Sequence, residues 1–172
     1  MNNLTDDNQE ILITKLSVSE WQSYKTLRLR ALKEETKAFS SRYKDQVKYT
    51  DEQRQNRLAT GKHMLFAKFG GKLVGMMVGY VPDPDKDKTT ADIVSVYVSP
   101  EFRGRCISKK LLETLLKELK EDGVTKTRLA VNKDQLPAFH LYQSFGFIVT
   151  GEEESIRADG LKHNELLMSK QL

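Results

Sequence analysis

Residues 93–123 read IVSVYVSPEFRGRCISKKLLETLLKELKEDG, and this stretch decides the fold. The β-branched run ending at Val98 predicts a strand. A tight basic turn follows. From Ile107 onward Leu111, Leu112, Leu115, Leu116 and Leu119 share a single helical face. Gly123 comes next as a C′ residue, where a left-handed backbone closes a helix. Strand, basic turn and helix N-terminus in that order describe a site for a phosphate-bearing ligand, because the first amides of a helix have no internal acceptor. The charges point the same way: Arg103, Arg105, Lys109 and Lys110 crowd the helix start, and Glu118, Glu121 and Asp122 crowd its end. Both sets oppose the macrodipole, at about 0.3–1 kcal/mol per charge near a terminus, so helix stability does not account for them. Arg103 and Arg105, in the turn itself, are assigned to the anion. Lys109 and Lys110 read as solvated surface.

Working upstream, residues 90–98 form the strand, and the PDPDKDK loop (82–88) precedes it. HMLFAKF (63–69) and KLVGMMVGYV (72–81) flank Gly70-Gly71, which predicts a hairpin. A polar helix is expected over 51–59 and an irregular segment over 39–50. Residues 11–16 predict a short strand. Ser17 and Ser19 offer N-caps for a helix on which Trp21, Tyr24, Leu27 and Ala31 follow the helical period. Downstream, Thr127, Leu129 and Val131 alternate as a strand, a short helix is expected over 137–145, and strands over 147–154 and 165–170 surround Asp159-Gly160. The strand–helix–strand unit from 90 to 131 is a parallel crossover. The expected fold is therefore mixed α/β, a mostly antiparallel central sheet with one parallel βαβ crossover and flanking helices.

The 172 residues suit one domain with a core that needs neither disulfide nor metal, with residues 1–9 as a flexible N-terminus. A net charge of +4, from 28 basic and 24 interspersed acidic residues, gives no argument for nucleic acid. No apolar run approaches the roughly 20 residues that span a bilayer. The polar, acidic start is neither a signal nor a transit peptide. With a lone cysteine, Cys106, a cytoplasmic protein is expected. His63, His140 and His163 lack metal-ligand spacing, and no metal is expected. The short helix is expected to turn His140 to the surface. Met64, Met76 and Met77 read as core or cleft filler, and Trp21 and Tyr24 as residues that pack the first helix on the sheet.

RGRCIS (103–108) with its helix, and QLPAFHLYQSFGF (135–147), resemble the GNAT superfamily of N-acetyltransferases. The similarity extends over nearly the whole chain. The first segment is similar to the family's pyrophosphate loop, with Cys106 where Gly is usual and Ser108 where Gly or Ala is usual. In the second, a small Ala138 and a Leu-Tyr pair precede Gly-Phe, and Gln135 takes a place often held by Asn. The resemblance implies acetyl-CoA as co-substrate, an amine acceptor, direct attack in a ternary complex, and a chain that acts alone or as a homodimer. It implies a cofactor site made of Val96, Val98, Arg103, Gly104, Arg105, Cys106, Ile107, Ser108, Gln135, Ala138 and Tyr142. Two parallel strands are expected to splay there, with the Val98 amide facing the thioester oxygen. Cys106 is expected to have helical φ and ψ, in the first turn of its helix.

Acyl transfer to an amine needs a proton for the departing thiolate and an acceptor for the amine's own proton. The resemblance places Tyr142 beside the cofactor sulfur and so makes it the candidate acid, and a phenol with an ordinary pKa of about 10 keeps its proton at neutral pH. Packing against Phe145 is the competing reading for the same side chain. The resemblance puts Asp92 where some members of the family carry a catalytic Glu, which makes it the candidate base, reaching the amine through water because Asp is shorter, with a plain strand-start residue as the alternative. Cys106 has no neighbour in sequence that argues for a covalent acyl-enzyme. For the acceptor, residues 39–50 and the acidic Glu152, Glu153 and Glu154 leave a polyamine, an aminoglycoside-like drug, an amino acid and a protein N-terminus all open. The function from a different class is a non-catalytic CoA-binding sensor or interaction module that keeps the fold.

Overall fold

A computed structural model describes residues 10–172; the N-terminal residues 1–9, expected to be flexible, lie outside the described part. The element order is β1 (Ile11–Thr14), α1 (Trp21–Glu34), α2 (Tyr43–Gln46), α3 (Asp51–Thr60), β2 (His63–Phe69), β3 (Lys72–Tyr80), β4 (Thr90–Val98), α4 (Ile107–Glu121), β5 (Lys126–Asn132), α5 (Leu136–Ser144), β6 (Ile148–Ile156) and β7 (Lys162–Gln171). The strands form one seven-stranded sheet in the order β1-β2-β3-β4-β5-β7-β6. Every neighbouring pair is antiparallel except β4 and β5, which are parallel. The expected mixed sheet with one crossover is what the chain forms.

Local chemistry sets the boundaries. The first strand stops at Thr14 because Ser17 and Glu20 close a reciprocal capping box around a 3-10 turn at Val18–Glu20, which leads into α1. Thr50 and Gln53 form the same device at the start of α3. The segment expected to be irregular contains the short helix α2. Gly70 and Gly71 take φ of 55° and 80°, the left-handed pair that a two-residue hairpin needs.

Two cores result, one on each face of the sheet. On the first, Ile107, Leu111, Leu112, Leu115 and Leu119 of α4 pack on Leu65, Ala67, Met77 and Ile93, and Tyr142 and Phe147 close the far end. Gly79 lets α4 come close: a β-carbon there would sit 3.1 Å from Leu115 and 3.2 Å from Leu119. On the second face Tyr24, Leu27, Ala31 and Leu32 of α1 pack on Phe66, Met76 and Tyr97. Tyr24 meets Phe66 edge-on at 5.8 Å, the packing expected for the first helix.

The acids at the end of α4 have a structural use. Lys15 binds Glu118 at 2.9 Å and Lys62 binds Asp122 at 2.7 Å, with His63 between the two carboxylates. They tie the helix terminus to the edge of the sheet, so their conflict with the macrodipole is offset locally.

Candidate active site

β4 and β5 pair only over Thr90, Ala91 and Asp92 with Lys126, Thr127 and Arg128. Beyond that point the parallel strands part, as the resemblance implied. Immediately above, β4 carries an irregularity. Met76 of β3 is opposite Tyr97 and Val78 is opposite Val94, so two residues of β4 face one of β3. Ser95 is the inserted residue, with φ of 57°. The packing records the shift: Ile93, Val96 and Val98 belong to the α4 face, whereas Val94 and Tyr97, three positions apart, both belong to the α1 face. Such a bulge leaves backbone groups unpaired and turns them out of the ladder.

A cavity of about 770 Å³ opens at the gap. Its lining includes Ile93, Val96, Val131 and Tyr142 from the α4 face and Phe39, Met64 and Val94 from the α1 face, so it passes through the sheet.

The turn after β4 stands at the same end of the sheet. Arg103 is extended, Gly104 has φ of 78°, and Cys106 caps α4 with φ of 58° and ψ of 19°. The expectation of helical φ and ψ at Cys106 is thus corrected. The chain must reverse from extended to helical within three residues, and it does so with two left-handed positions. For a side-chain-bearing residue that conformation costs about 1–2 kcal/mol. The first helical bond is made by the Lys110 amide to the Cys106 carbonyl, 3.0 Å, so the amides of Ile107, Ser108 and Lys109 have no helical acceptor. Space over Gly104 is open, with no atom within 4 Å of where a β-carbon would sit. A pyrophosphate fits this turn: exposed amides, a helix N-terminus and room above the glycine.

The two arginines assigned to the anion are placed differently from one another. Arg103 donates from Nε to the Val98 carbonyl at 3.0 Å and from Nη2 to Glu35 at 2.5 Å, beside the end of α1. Arg105 lies over the rings of Phe69 and Phe102, at 5.1 and 5.8 Å. Of the other candidates, Val96, Gln135 and Tyr142 line the cavity. Ala138 packs partly buried against the α4-side core, Ile107 is buried and Ser108 half-exposed. Val98 is buried one turn of the pleat beyond the cavity lining.

Tyr142 is 4% exposed and edge-on to Phe147 at 5.8 Å, and no hydrogen bond from another described residue acts on its hydroxyl. Burial pushes its phenol well above the usual tyrosine range, so it holds its proton. Asp92 sits below the bulge, accepts from Arg128 Nε at 2.8 Å, and is outside the cavity lining. His140 is exposed, and the three histidines belong to no potential metal-binding cluster among the described residues. Nor is any helix among the described residues long and apolar enough to cross a membrane.

Residues 28–147 match the family model described as Acetyltransferase (GNAT) family. The chain belongs to the GNAT acetyltransferase family. The match begins on α1 and ends just after α5, so it contains the bulge, the turn and Tyr142. Among characterised relatives, the mycothiol acetyltransferase of Brachybacterium faecium is 34% identical over 95 residues, 55% of this chain and 29% of its own length. N-acetyltransferase 8 of Rattus norvegicus is 35% identical over 94 residues, 54% of this chain and 42% of its own. The chain thus spans less than half of the length of these relatives. A solved GNAT acetyltransferase of Streptococcus pneumoniae superposes with a TM-score of 0.81 at 22% identity, covering 95% of this chain and 100% of the other.

Sequence reasoning about this GNAT chain overlooked three cavity residues, Ser95, Arg28 and Arg157. Two of them left a signal. In β4 the polar residues Asp92 and Ser95 are three apart, whereas a regular half-buried strand alternates by two. In α1 the buried positions are Tyr24, Leu27, Arg28, Ala31 and Leu32, so an arginine occupies a core position of the helical pattern.

Proposed function

We propose that this chain is an N-acetyltransferase that moves the acetyl group of acetyl-CoA to an amine by direct attack in a ternary complex. The observation that carries the reading is the cavity that crosses the sheet where β4 and β5 part, with the bulge, Tyr142 and the α4 turn around it. Acetyl-CoA, when bound, supplies an activated acetyl thioester. The amides of the turn from Gly104 to Ser108 hold its pyrophosphate, with Arg103 and Arg105 at their margin. Val96 and Val98 offer backbone groups to the pantetheine arm, and Gln135 and Ala138 flank it. An amide of β4 beside the bulge donates to the carbonyl oxygen as negative charge develops there.

As the N–C bond forms and the C–S bond breaks, Tyr142 gives its phenolic proton to the leaving sulfur. Burial keeps the phenol protonated until the reaction, and because a thiolate is a weaker base than a phenolate, Tyr142 donates as charge builds on the sulfur and recovers its proton from solvent afterwards. Asp92 receives the amine's proton by way of water and not by contact, because its carboxylate is bound to Arg128. The acceptor enters from the α1 side, past Phe39 and Arg28. The lone exposed Cys106 agrees with a cytoplasmic site of action.

Thiol release from acetyl-CoA over a broad panel of amines tests the reading. Turnover with at least one amine is expected. Acetyl-CoA binding without turnover across the panel would turn the assignment into that of a CoA-binding sensor.

A further inference from the structure

Three arginines deep in this chain have very different partners. Arg157 is bound to the Glu165 carboxylate, and its Nη1 donates to Ser40 Oγ at 2.6 Å. Arg54 donates to main-chain carbonyls, among them Gln46 at 2.6 Å and Thr50 at 3.3 Å. Arg28 has neither. It is 5% exposed and its Nη1 reaches only Ser95 Oγ at 3.2 Å; its Nε is buried without a partner, as is that of Arg157, but Arg28 alone of the three has neither a carboxylate nor a main-chain carbonyl. The guanidinium lies 5.0 Å over the Phe39 ring and lines the cavity. Burial lowers its pKa, and the nearby guanidinium of Arg57 adds to the effect. The groups that act in the opposite direction are the phenols of Tyr24 and Tyr49, not a carboxylate.

A buried guanidinium has five N–H donors and a full charge, and leaving it unpaired is costly. With Nη1 turned to Ser95, the unpaired edge is Nε–H beside Nη2–H, and Nε itself is closed off from solvent until a ligand displaces its neighbours. Those two parallel donors match the two oxygens of one carboxylate. Arg57 also lines the cavity, while Arg157 is balanced by Glu165 and the one carboxylate in the lining, Asp122, is bound to Lys62. In the acidic run of β6, Glu152 pairs with Lys133 at 2.5 Å and Glu154 with Lys162 at 2.6 Å, and Glu153 acts on Arg157 and not on Arg28; all three are outside the lining.

We infer that Arg28 receives a carboxylate of the acceptor, and hence that the acceptor is a carboxylate-bearing amine of the amino-acid type. The inference rests on the acetyltransferase reading for what enters the cavity, but binding tests it without turnover. One buried guanidinium edge balances one negative charge, which favours a carboxylate over a doubly charged phosphate group. Ser95 then has two uses: its left-handed backbone makes the bulge, and its hydroxyl aims Arg28.

The test uses N-acetylated amino acids as product-like ligands of the full chain with CoA present. Each is compared with its primary amide and with the aminophosphonate analogue, by calorimetry. The wild type is expected to bind the better carboxylates at least tenfold more tightly than their amides. Arg28→Gln should weaken carboxylate binding by about a hundredfold, as for loss of a buried charge partner, and leave the amides within about twofold. In the wild type, an arginine Nε–H resonance should shift on carboxylate addition and not on amide addition, a readout that needs no variant. No carboxylate preference in the wild type would overturn the inference. A preference that survives in Arg28→Gln would place the anion elsewhere, and tighter binding of the phosphonate would refute the carboxylate assignment. Thiol release with the free amino acids and their amides is measured alongside. Carboxylate-selective binding without turnover would count against the transferase reading alone; turnover without selectivity would count against the Arg28 subsite alone.

Discussion

The two ends of the cavity are built from different materials. On the α4 side the groups offered to a ligand are main-chain: the amides that begin α4, the room above Gly104, and β4 beside its bulge. The arginines there are occupied, Arg103 by Glu35 and Arg105 by two aromatic rings. On the α1 side the offer comes from a side chain, Arg28, buried with an unpaired edge. Backbone donors suit a ligand that is the same in every turnover, since their positions follow from the fold. A side-chain donor suits the part of a ligand that differs from enzyme to enzyme, since one substitution in α1 changes it without disturbing the sheet. Tyr142 stands between the two ends.

The largest effect should come where the ends meet. Tyr142→Phe removes one hydroxyl and keeps the ring against Phe147. Acetyl-CoA affinity should stay nearly unchanged while the single-turnover rate falls about 100-fold, the low end for general acid catalysis. A wild-type rate in the variant would make Tyr142 a packing residue and leave the mechanism without its acid.

Next is the contrast between backbone and side chain on the cofactor side. The double variant Arg103→Ala and Arg105→Ala should bind CoA about tenfold more weakly and with a shallower salt dependence, since exposure reduces what charge-assisted bonds contribute. Pantetheine without phosphate should bind as before. Equal loss for both ligands would show that the arginines hold the fold through Glu35, Phe69 and Phe102.

The strain at Cys106 predicts a smaller change. Cys106→Gly should stabilise the protein by about 0.5–1 kcal/mol, the left-handed penalty relieved less the entropy that glycine adds to the unfolded chain. Cys106→Val should do the reverse, and thermal unfolding measures both. If Gly and Val leave the unfolding midpoint equal, the turn does not need a left-handed residue at position 106.

The α4-side features were legible in the sequence because they repeat a local pattern: a leucine face, a basic turn, and a tyrosine before Gly-Phe. The fold followed for the same reason, since each strand and helix carries its own period. The conformation of Cys106 was not legible, because a cap's φ depends on how far the preceding strand must turn, and that is set by where α4 packs. Arg28 and Ser95 were hidden differently. Each sits in a regular element as one polar residue out of phase, and the meaning of the misfit appears only when 67 residues of separation close to a 3.2 Å hydrogen bond.

Alkaline titration gives a weaker but distinct signature. Burial raises the Tyr142 phenol, and burial followed by the bond to Glu34 pushes Tyr97 up to about 12. Both folded values lie above the ordinary value of about 10 in the unfolded chain. Their stabilising contribution is therefore complete below about pH 10 and is lost as pH rises beyond it. Urea midpoints should fall between about pH 10 and 12, and Tyr142→Phe should flatten part of that slope. An unchanged slope would mean the phenol is not held neutral by the fold.

In the mechanism proposed above, main-chain groups of β4 and of the turn before α4 receive acetyl-CoA. Amide hydrogen exchange of the whole chain, with and without saturating acetyl-CoA, addresses those groups directly. Protection should gather at 95–98 and 104–109 and extend weakly to α5, with little change in α1 until an acceptor is added. Protection confined to other elements, or none at saturation, would contradict the claim.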